Sequence, residues 1–354
     1  MLEAQSSFSI AQRLIGPESP PLVIAEMSGN HNQSLDRALA IVDAAAEAGA
    51  HALKLQTYTA DTMTLNVRGG DFEIRDHGSL WAGHNLHDLY AKAHTPWAWH
   101  GPIMERARKR GMLCFSSPFD ESAVDFLEEL GAPAYKIASF ENNHLPLIRK
   151  AAATGKPLII STGMASLGEL EHAVSAARDA GCRDLVLLKC TSTYPATPAN
   201  TNIRTIPHLR DLFSCQVGLS DHTMGVGVAV AAVALGATVI EKHFTLSRDE
   251  GGVDSAFSLE PQELAALVQE SERAWQALGQ VRYGPTEVER KSLVFRRSIY
   301  VASDIVEGEA FTIDNLRIVR PGHGAPPWLL AKILGRKARR SYDRGTPLTL
   351  DDLI

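Results

Sequence analysis

The sequence predicts a (β/α)8 barrel followed by a small β-rich module. Three observations carry that reading. Eight short apolar runs alternate with amphipathic stretches, the runs are almost continuously hydrophobic, and the rhythm breaks after Gly284. Apolar strands of this kind, separated by helices, belong to a parallel sheet covered on its faces, and eight such units close a barrel. A doubly wound open sheet is the alternative, but no G-x-G-x-x-G follows the first strand.

The eight strands are expected at Leu22–Ala25, Ala52–Gln56, Met112–Ser116, Ala134–Ala138, Pro157–Ser161, Leu185–Cys190, Gln216–Leu219 and Thr238–Lys242. Helical periodicity marks Leu35–Ala48, Trp97–Arg110, Ala123–Leu130, Gly168–Ala180 and Pro261–Leu278. The Ala/Val/Gly-rich stretch Met224–Gly236 has the length of one crossover helix. Asp61–His94 is too long for an ordinary βα loop and is expected to be a functional lid or an oligomer contact. Its His77, His84, His87 and His94 have no Cys partner and no HExxH spacing, so they read as solvated or loop-packing residues.

Past Gly284 come a strand-like Phe295–Val301, turn signals at Glu307–Gly308, a second run Leu316–Arg320, the turn Pro321-Gly322-His323-Gly324 and a terminal Gly345-Thr346-Pro347-Leu348. The expected organisation is a barrel over 1–283, a linker over 284–294 with its polar part at Gly284–Arg290, and a module over 295–354.

Composition narrows the function. The chain has 354 residues, 45% hydrophobic and 21% charged, the make-up of a soluble globular protein. Its formal net charge of −6 argues against a nucleic-acid binder held by counterion release. Cys114, Cys182, Cys190 and Cys215 form no CxxC pair and read as buried free thiols of a reducing compartment. No signal peptide and no membrane span is expected, which makes the chain cytoplasmic.

Chemistry is expected where the strands end. They end, in order, at Glu26, Lys54 with Gln56, Ser116-Ser117, Lys136 with Ser139 and Glu141, Ser161, Ser192 with Tyr194, Ser220-Asp221-His222, and His243. Any one of these is ordinarily a turn or capping residue. Eight polar ends on one face exceed what capping requires. Two lysines inside apolar strands, beside serine hydroxyls, suit an anionic ligand such as a phosphate or carboxylate. His222 and His243 leave neighbouring strands, so they either hold a divalent cation with open positions or are buried histidines bonded to carbonyls.

These residues resemble the sialic acid synthase family, which joins phosphoenolpyruvate to an N-acyl amino sugar. The matching segments are Ile24-Ala25-Glu26 with Asn30-His31-Asn32, Lys54–Thr57, Phe115–Phe119, Tyr135–Ser139, Ser161–Met164, Gly218–Thr223, Glu241–Thr245 and Arg320-Pro321-Gly322. They cover nearly the whole chain, with the C-terminal module similar to the family's antifreeze-like (SAF) domain. Glu26–Asn32, Thr95-Pro96-Trp97 and Lys189–Ser192 look most like the pseudaminic acid synthase branch.

The resemblance implies a metal-dependent condensation, with Mn2+ or Mg2+ on His222 and His243 polarising the sugar aldehyde and Glu26 beside the reacting carbons. It implies that Lys54, Ser117, Lys136, Ser139, Ser161 and Ser220 hold phosphoenolpyruvate. Gln56, Tyr194, Ser192, Asp254 and Arg320 would meet the sugar. Ser192 stands where sialic acid synthases carry asparagine, compatible with a different sugar, 2,4-diacetamido-2,4,6-trideoxy-L-altrose. A domain-swapped homodimer is implied, with Arg320 reaching the partner's barrel. The alternatives are an N-acetylneuraminate or legionaminate synthase, a Schiff-base aldolase using Lys54 or Lys136, and a non-catalytic carbohydrate-binding protein.

Overall fold

In the computed structural model, which describes residues 7–75 and 80–352, eight parallel strands close on themselves with helices outside. His77 lies outside the described residues. A short antiparallel hairpin, β1 (Phe8–Ile10) and β2 (Arg13–Ile15), precedes the barrel. The barrel strands are β3 (Leu22–Glu26), β4 (Ala52–Thr57), β5 (Leu113–Pro118), β6 (Tyr135–Ile137), β7 (Leu158–Ser161), β8 (Leu185–Cys190), β9 (Gln216–Asp221) and β10 (Val239–His243). Each pairs with the next in sequence, and β10 closes on β3. The fold is a TIM barrel.

The period-2 alternation of each strand builds two cores. Val23, Ala25, Leu53, Ile137, Ile160, Leu187, Val217, Leu219 and Ile240 point out and pack under the helices. Leu22, Ile24, Ala52, Phe115, Ala134, Ile159, Val186, Leu188 and Val239 point into the barrel, where Phe8, Ile10 and Ile15 of the hairpin join them. One step further along the strands, the same inward parity brings Glu26, Lys54, Lys136, Ser220 and Glu241 to the carboxyl end.

The helices follow their local signals. Ser34 caps Leu35–Glu47 by accepting from the Arg37 amide, and Ser166 with Glu169 forms a capping box on Leu167–Asp179. Pro261 opens the helix that ends at Leu278. The crossover between β9 and β10 contracts to Gly227–Ala234. Helices Trp97–Lys109, Glu121–Glu129, Leu145–Ala152 and Thr205–Phe213 fill the four remaining crossovers. The insert folds into a short turn of helix, Ala60–Met63, and a longer one, Leu86–Ala93. There His87 Nε2 meets Asp61 at 2.9 Å and His94 Nδ1 meets the Ala91 carbonyl at 2.8 Å.

The chain divides into two compact units, Met1–Gly279 and Gln280–Ile354. The second has its own small core, with Ile299, Val301, Ile305, Phe311, Leu316 and Leu348 buried around the antiparallel pair β11 (Ser298–Val301) and β12 (Leu316–Val319). Among the described residues no helix is long and apolar enough to cross a membrane. All four cysteines are free and buried.

Candidate active site

Register at the carboxyl end of the barrel sets the site. Glu26 lies opposite Lys54 on one side and His243 on the other, and Glu241 lies opposite Ser220. The Lys54 ammonium sits 2.7 Å from Glu26 and 3.8 Å from Glu241, and donates to the Ser117 hydroxyl at 3.2 Å. Lys136 donates to Glu241 at 3.2 Å, and the same carboxylate oxygen accepts from Ser220 at 3.0 Å. Gln56 donates to Glu26 at 2.8 Å. All four charged groups are buried, from 1% exposed for Glu26 to 4% for Glu241. Removing such ions from water costs several kcal/mol each, so this network is a poor device for stability alone.

The environment drives the two carboxylates apart. Burial raises the Glu26 pKa, with Lys54 opposing and the Glu241 charge adding to the rise. Burial works the same way on Glu241, but Lys136 and Lys54 outweigh it and hold the carboxyl down at about 2. Glu241 is thus held as an anion while Glu26 is the more proton-avid of the two, the difference that acid–base chemistry needs. Lys54 is raised despite burial because two carboxylates face it, whereas burial prevails at Lys136 and lowers it.

The two histidine rings lie 5.3 Å apart, centre to centre, edge to face. His222 donates from Nδ1 to the Thr191 carbonyl at 3.0 Å, with the Cys190 sulfur 3.9 Å from the same nitrogen. A bond of that kind fixes the ring and leaves Nε2 as the lone-pair donor. Burial disfavours charge on His222, yet the Cys190 and Thr191 contacts leave its pKa raised, so a bound cation would displace a proton there. Burial, with His222 and three lysines nearby, pushes His243 well below its ordinary value. That favours its uncharged form, and its buried Nδ1 has no hydrogen-bond partner, with the Asp254 carboxylate 3.8 Å away. Among the described residues no cluster of three or more His, Cys, Asp or Glu side chains forms a closed cage. Two imidazoles of this chemistry fit a cation that keeps its other positions open.

The remaining predicted residues surround this centre. Ser139 accepts from the Gly163 amide at 3.2 Å, and the Ser161 hydroxyl is buried without a partner. A Cβ on Gly163 would fall 2.1 Å from Ser192 Oγ and 2.6 Å from Ser139 Oγ, so that glycine keeps two hydroxyls close together. Asp254 accepts from Ser28, and burial raises its pKa. The Tyr194 ring lies 4.5 Å from that of His222. A cavity of about 310 Å3 opens here, with Ser28, Gln56, Glu141, Tyr194, His243 and Asp254 on its polar side. Arg320 belongs to the second unit. Thr95 and Trp97 do not line the cavity: Thr95 meets His31 at 3.1 Å, and Trp97 donates to the Tyr58 carbonyl at 3.3 Å.

Four further residues belong to this region: Glu141 and Asp221, which the sequence marks only as polar strand ends, and Glu241 and Lys242, to which it assigns no part. Glu241 is two positions before His243, so strand parity places both on one face. Glu141, with a buried carboxylate oxygen lacking a partner and a pKa raised by burial to about 7, sits just past Ser139. Lys242 and Asp221 form a buried pair at 2.8 Å on the opposite strand face, directly behind the two histidines.

Residues 41–283 match the NeuB family and residues 296–354 match the SAF domain. The chain belongs to the NeuB family and is a synthase of that type. It is 43% identical over 336 residues to the pseudaminic acid synthase of Helicobacter pylori, covering 94% of this chain and 98% of that protein. It is 44% identical over 330 residues to the pseudaminic acid synthase of Campylobacter jejuni, covering 93% and 96%. The crystal structure of the N-acetylneuraminic acid synthetase of Leptospira borgpetersenii, in complex with citrate, superposes with a TM-score of 0.73 at 32% identity, over 83% of this chain and 97% of that one.

Proposed function

We propose that this chain condenses phosphoenolpyruvate with 2,4-diacetamido-2,4,6-trideoxy-L-altrose, releases phosphate, and so makes pseudaminic acid. The observation that carries the reading is the buried set of Lys54, Lys136, Ser117, Ser161 and Ser220 beside His222 and His243, in a chain similar along its length to two pseudaminic acid synthases.

Lys54, Lys136 and the hydroxyls of Ser117, Ser139, Ser161 and Ser220 hold the phosphate and carboxylate of phosphoenolpyruvate by charge-assisted hydrogen bonds. That leaves C3 of the enol free to face the aldehyde of the open-chain sugar. His222 and His243 would hold Mn2+ or Mg2+, which when bound supplies Lewis-acid polarisation of the aldehyde oxygen. Gln56, Tyr194, Ser192 and Asp254 orient the sugar. C3 attacks the aldehyde carbon: the C–C bond forms, the C=O π pair passes to the aldehyde oxygen, which takes up a proton and becomes a hydroxyl, and a cationic centre is left at C2. Water adds there, with Glu26 positioned to orient it and take its proton. The C–O bond to phosphate then breaks as the new C2 hydroxyl becomes the keto group, its proton passing to the departing phosphate, which keeps the bridging oxygen.

Arg320 completes the sugar site from the partner subunit of a two-fold dimer. Mixing Arg320→Ala chains with His222→Ala chains is expected to restore part of the activity, because one of the two sites in the mixed dimer is intact. No recovery after verified subunit exchange rules the crossing out. Four buried free thiols support a reducing, cytoplasmic setting.

The reading is tested by phosphate release from phosphoenolpyruvate labelled with 18O at the bridging position. Release is expected with the 6-deoxy diacetamido sugar, at a kcat/KM at least tenfold above that for N-acetylmannosamine, and with the label in phosphate. Equal kcat/KM values would place the chain outside the pseudaminic acid branch. Label retained in the sugar acid would refute the C–O cleavage.

A further inference from the structure

The cavity beside His243 has two unlike walls. Its polar side is made by residues at and just beyond the strand ends. The apolar part of its lining is Ile74, Leu86 and Leu89 from the insert together with Phe119 and Phe140, while Tyr58 and Tyr90 add phenol groups to it. The insert is fixed to the barrel loops. Trp81 donates to the Val253 carbonyl at 3.0 Å, one residue before Asp254, and Gln33 donates to the Lys92 and His94 carbonyls at 2.9 and 2.7 Å. A Cβ on Gly29 would fall 2.4 Å from the Val253 side chain and 3.0 Å from the Ala93 carbonyl, so the end of the insert lies directly on that loop. Phe140 is 58% exposed, an aromatic ring at a strand end where no core requires it.

We infer that this apolar wall sets sugar specificity, taking the C6 methyl of the substrate and discriminating against a hydroxyl at C6. The inference rests on the activity proposed above and assigns its selectivity to Ile74, Leu86 and Phe140. A diacetamido-trideoxy sugar is unusually apolar along one side, because it carries a terminal methyl and two acetamido methyls. Its aldehyde end belongs at the histidines, so the far end meets the insert. A 6-hydroxymethyl group set against Ile74, Leu86 and Phe140 meets side chains that carry no hydrogen-bonding group, so the water partners its hydroxyl loses are not replaced by these residues. An apolar pocket rejects an added hydroxyl only moderately, by about 100-fold at most.

The test compares the 6-deoxy diacetamido sugar with its 6-hydroxy counterpart of the same configuration, using wild type, Ile74→Asn, Leu86→Asn and the exposed-site variant Phe140→Ser. Wild type is expected to favour the 6-deoxy sugar by about 10- to 100-fold in kcat/KM. The variants are expected to cut that ratio at least fivefold and to raise the absolute kcat/KM for the 6-hydroxy sugar. A general loss of structure would lower both values together. Because Phe140 is largely exposed, its variant keeps the test meaningful if the insert variants fold poorly. Equal use of the two sugars by wild type, or an unchanged ratio in Phe140→Ser and in every insert variant that folds, overturns the inference while leaving the condensation intact. Turnover of neither sugar by wild type overturns the condensation itself, and the wall's role with it.

Discussion

Inside the barrel, two neighbouring layers contributed by the same strands have opposite physical characters. Toward the amino ends, Ile24, Ala52, Ala134 and Val239 belong to one apolar cluster with the hairpin residues Phe8, Ile10 and Ile15, with no charged member. Two residues on, about 6.6 Å along each strand, Glu26, Lys54, Lys136 and Glu241 are equally buried and all charged. The first layer stabilises by about 25 cal/mol for each Å2 of apolar surface removed from water. The second costs desolvation that its ion pairs only partly return. A barrel can hold such a layer because the one beneath it is so well packed. The difference assigns stability to one layer and chemistry to the other.

The largest effect that would sharpen this contrast is expected at the histidines. His243→Ala removes a candidate ligand and little core volume. It is expected to lower kcat by at least about 1,000-fold, the scale of several kcal/mol of Lewis-acid stabilisation, and to change Tm by only a few degrees. Steady-state kinetics with thermal unfolding checks both. A variant that keeps most of its turnover would remove His243 from the chemistry.

The smallest effect expected is a pH-dependent cost at the mouth of the charged layer. Burial raises Glu141 from an ordinary 4.5 to about 7, so the folded chain holds a proton there more tightly than the unfolded chain. The sign follows from linkage: stability from this group is full below about 4.5 and is lost as pH rises toward 7. Glu141→Gln removes that penalty. It is expected to raise Tm by several degrees at pH 8 and by roughly a quarter as much at pH 5. The same shift at both values would contradict the assignment.

Much of this contrast was legible in the sequence, because a closed parallel barrel turns a period-2 strand pattern directly into layers. The eight strands, and Lys54 and Lys136 inside apolar runs, could be read that way. Glu241 was within reach by the same parity but was eclipsed by His243 two residues later. The hairpin was hidden, since three-residue strands such as Phe8–Ile10 are too short for periodicity to register. The apolar wall was hidden for another reason. Ile74 and Leu86 come from an insert whose place over the site depends on tertiary contacts, Trp81 to Val253 and Gln33 to Lys92, that no local pattern encodes.

The most direct measurement of the division between layers is a paired comparison of Lys136→Met with Ile10→Ala, following phosphoenolpyruvate turnover and chemical unfolding in each. Lys136→Met is expected to lower kcat/KM for phosphoenolpyruvate by about 100- to 1,000-fold, the loss typical of one preorganised charge contact. Ile10→Ala is expected to cost about 2–5 kcal/mol of stability and leave kcat within twofold of wild type. Loss of turnover in Ile10→Ala at full folded occupancy, or near-normal kcat/KM in Lys136→Met, would contradict the assignment of chemistry to the charged layer and stability to the apolar one.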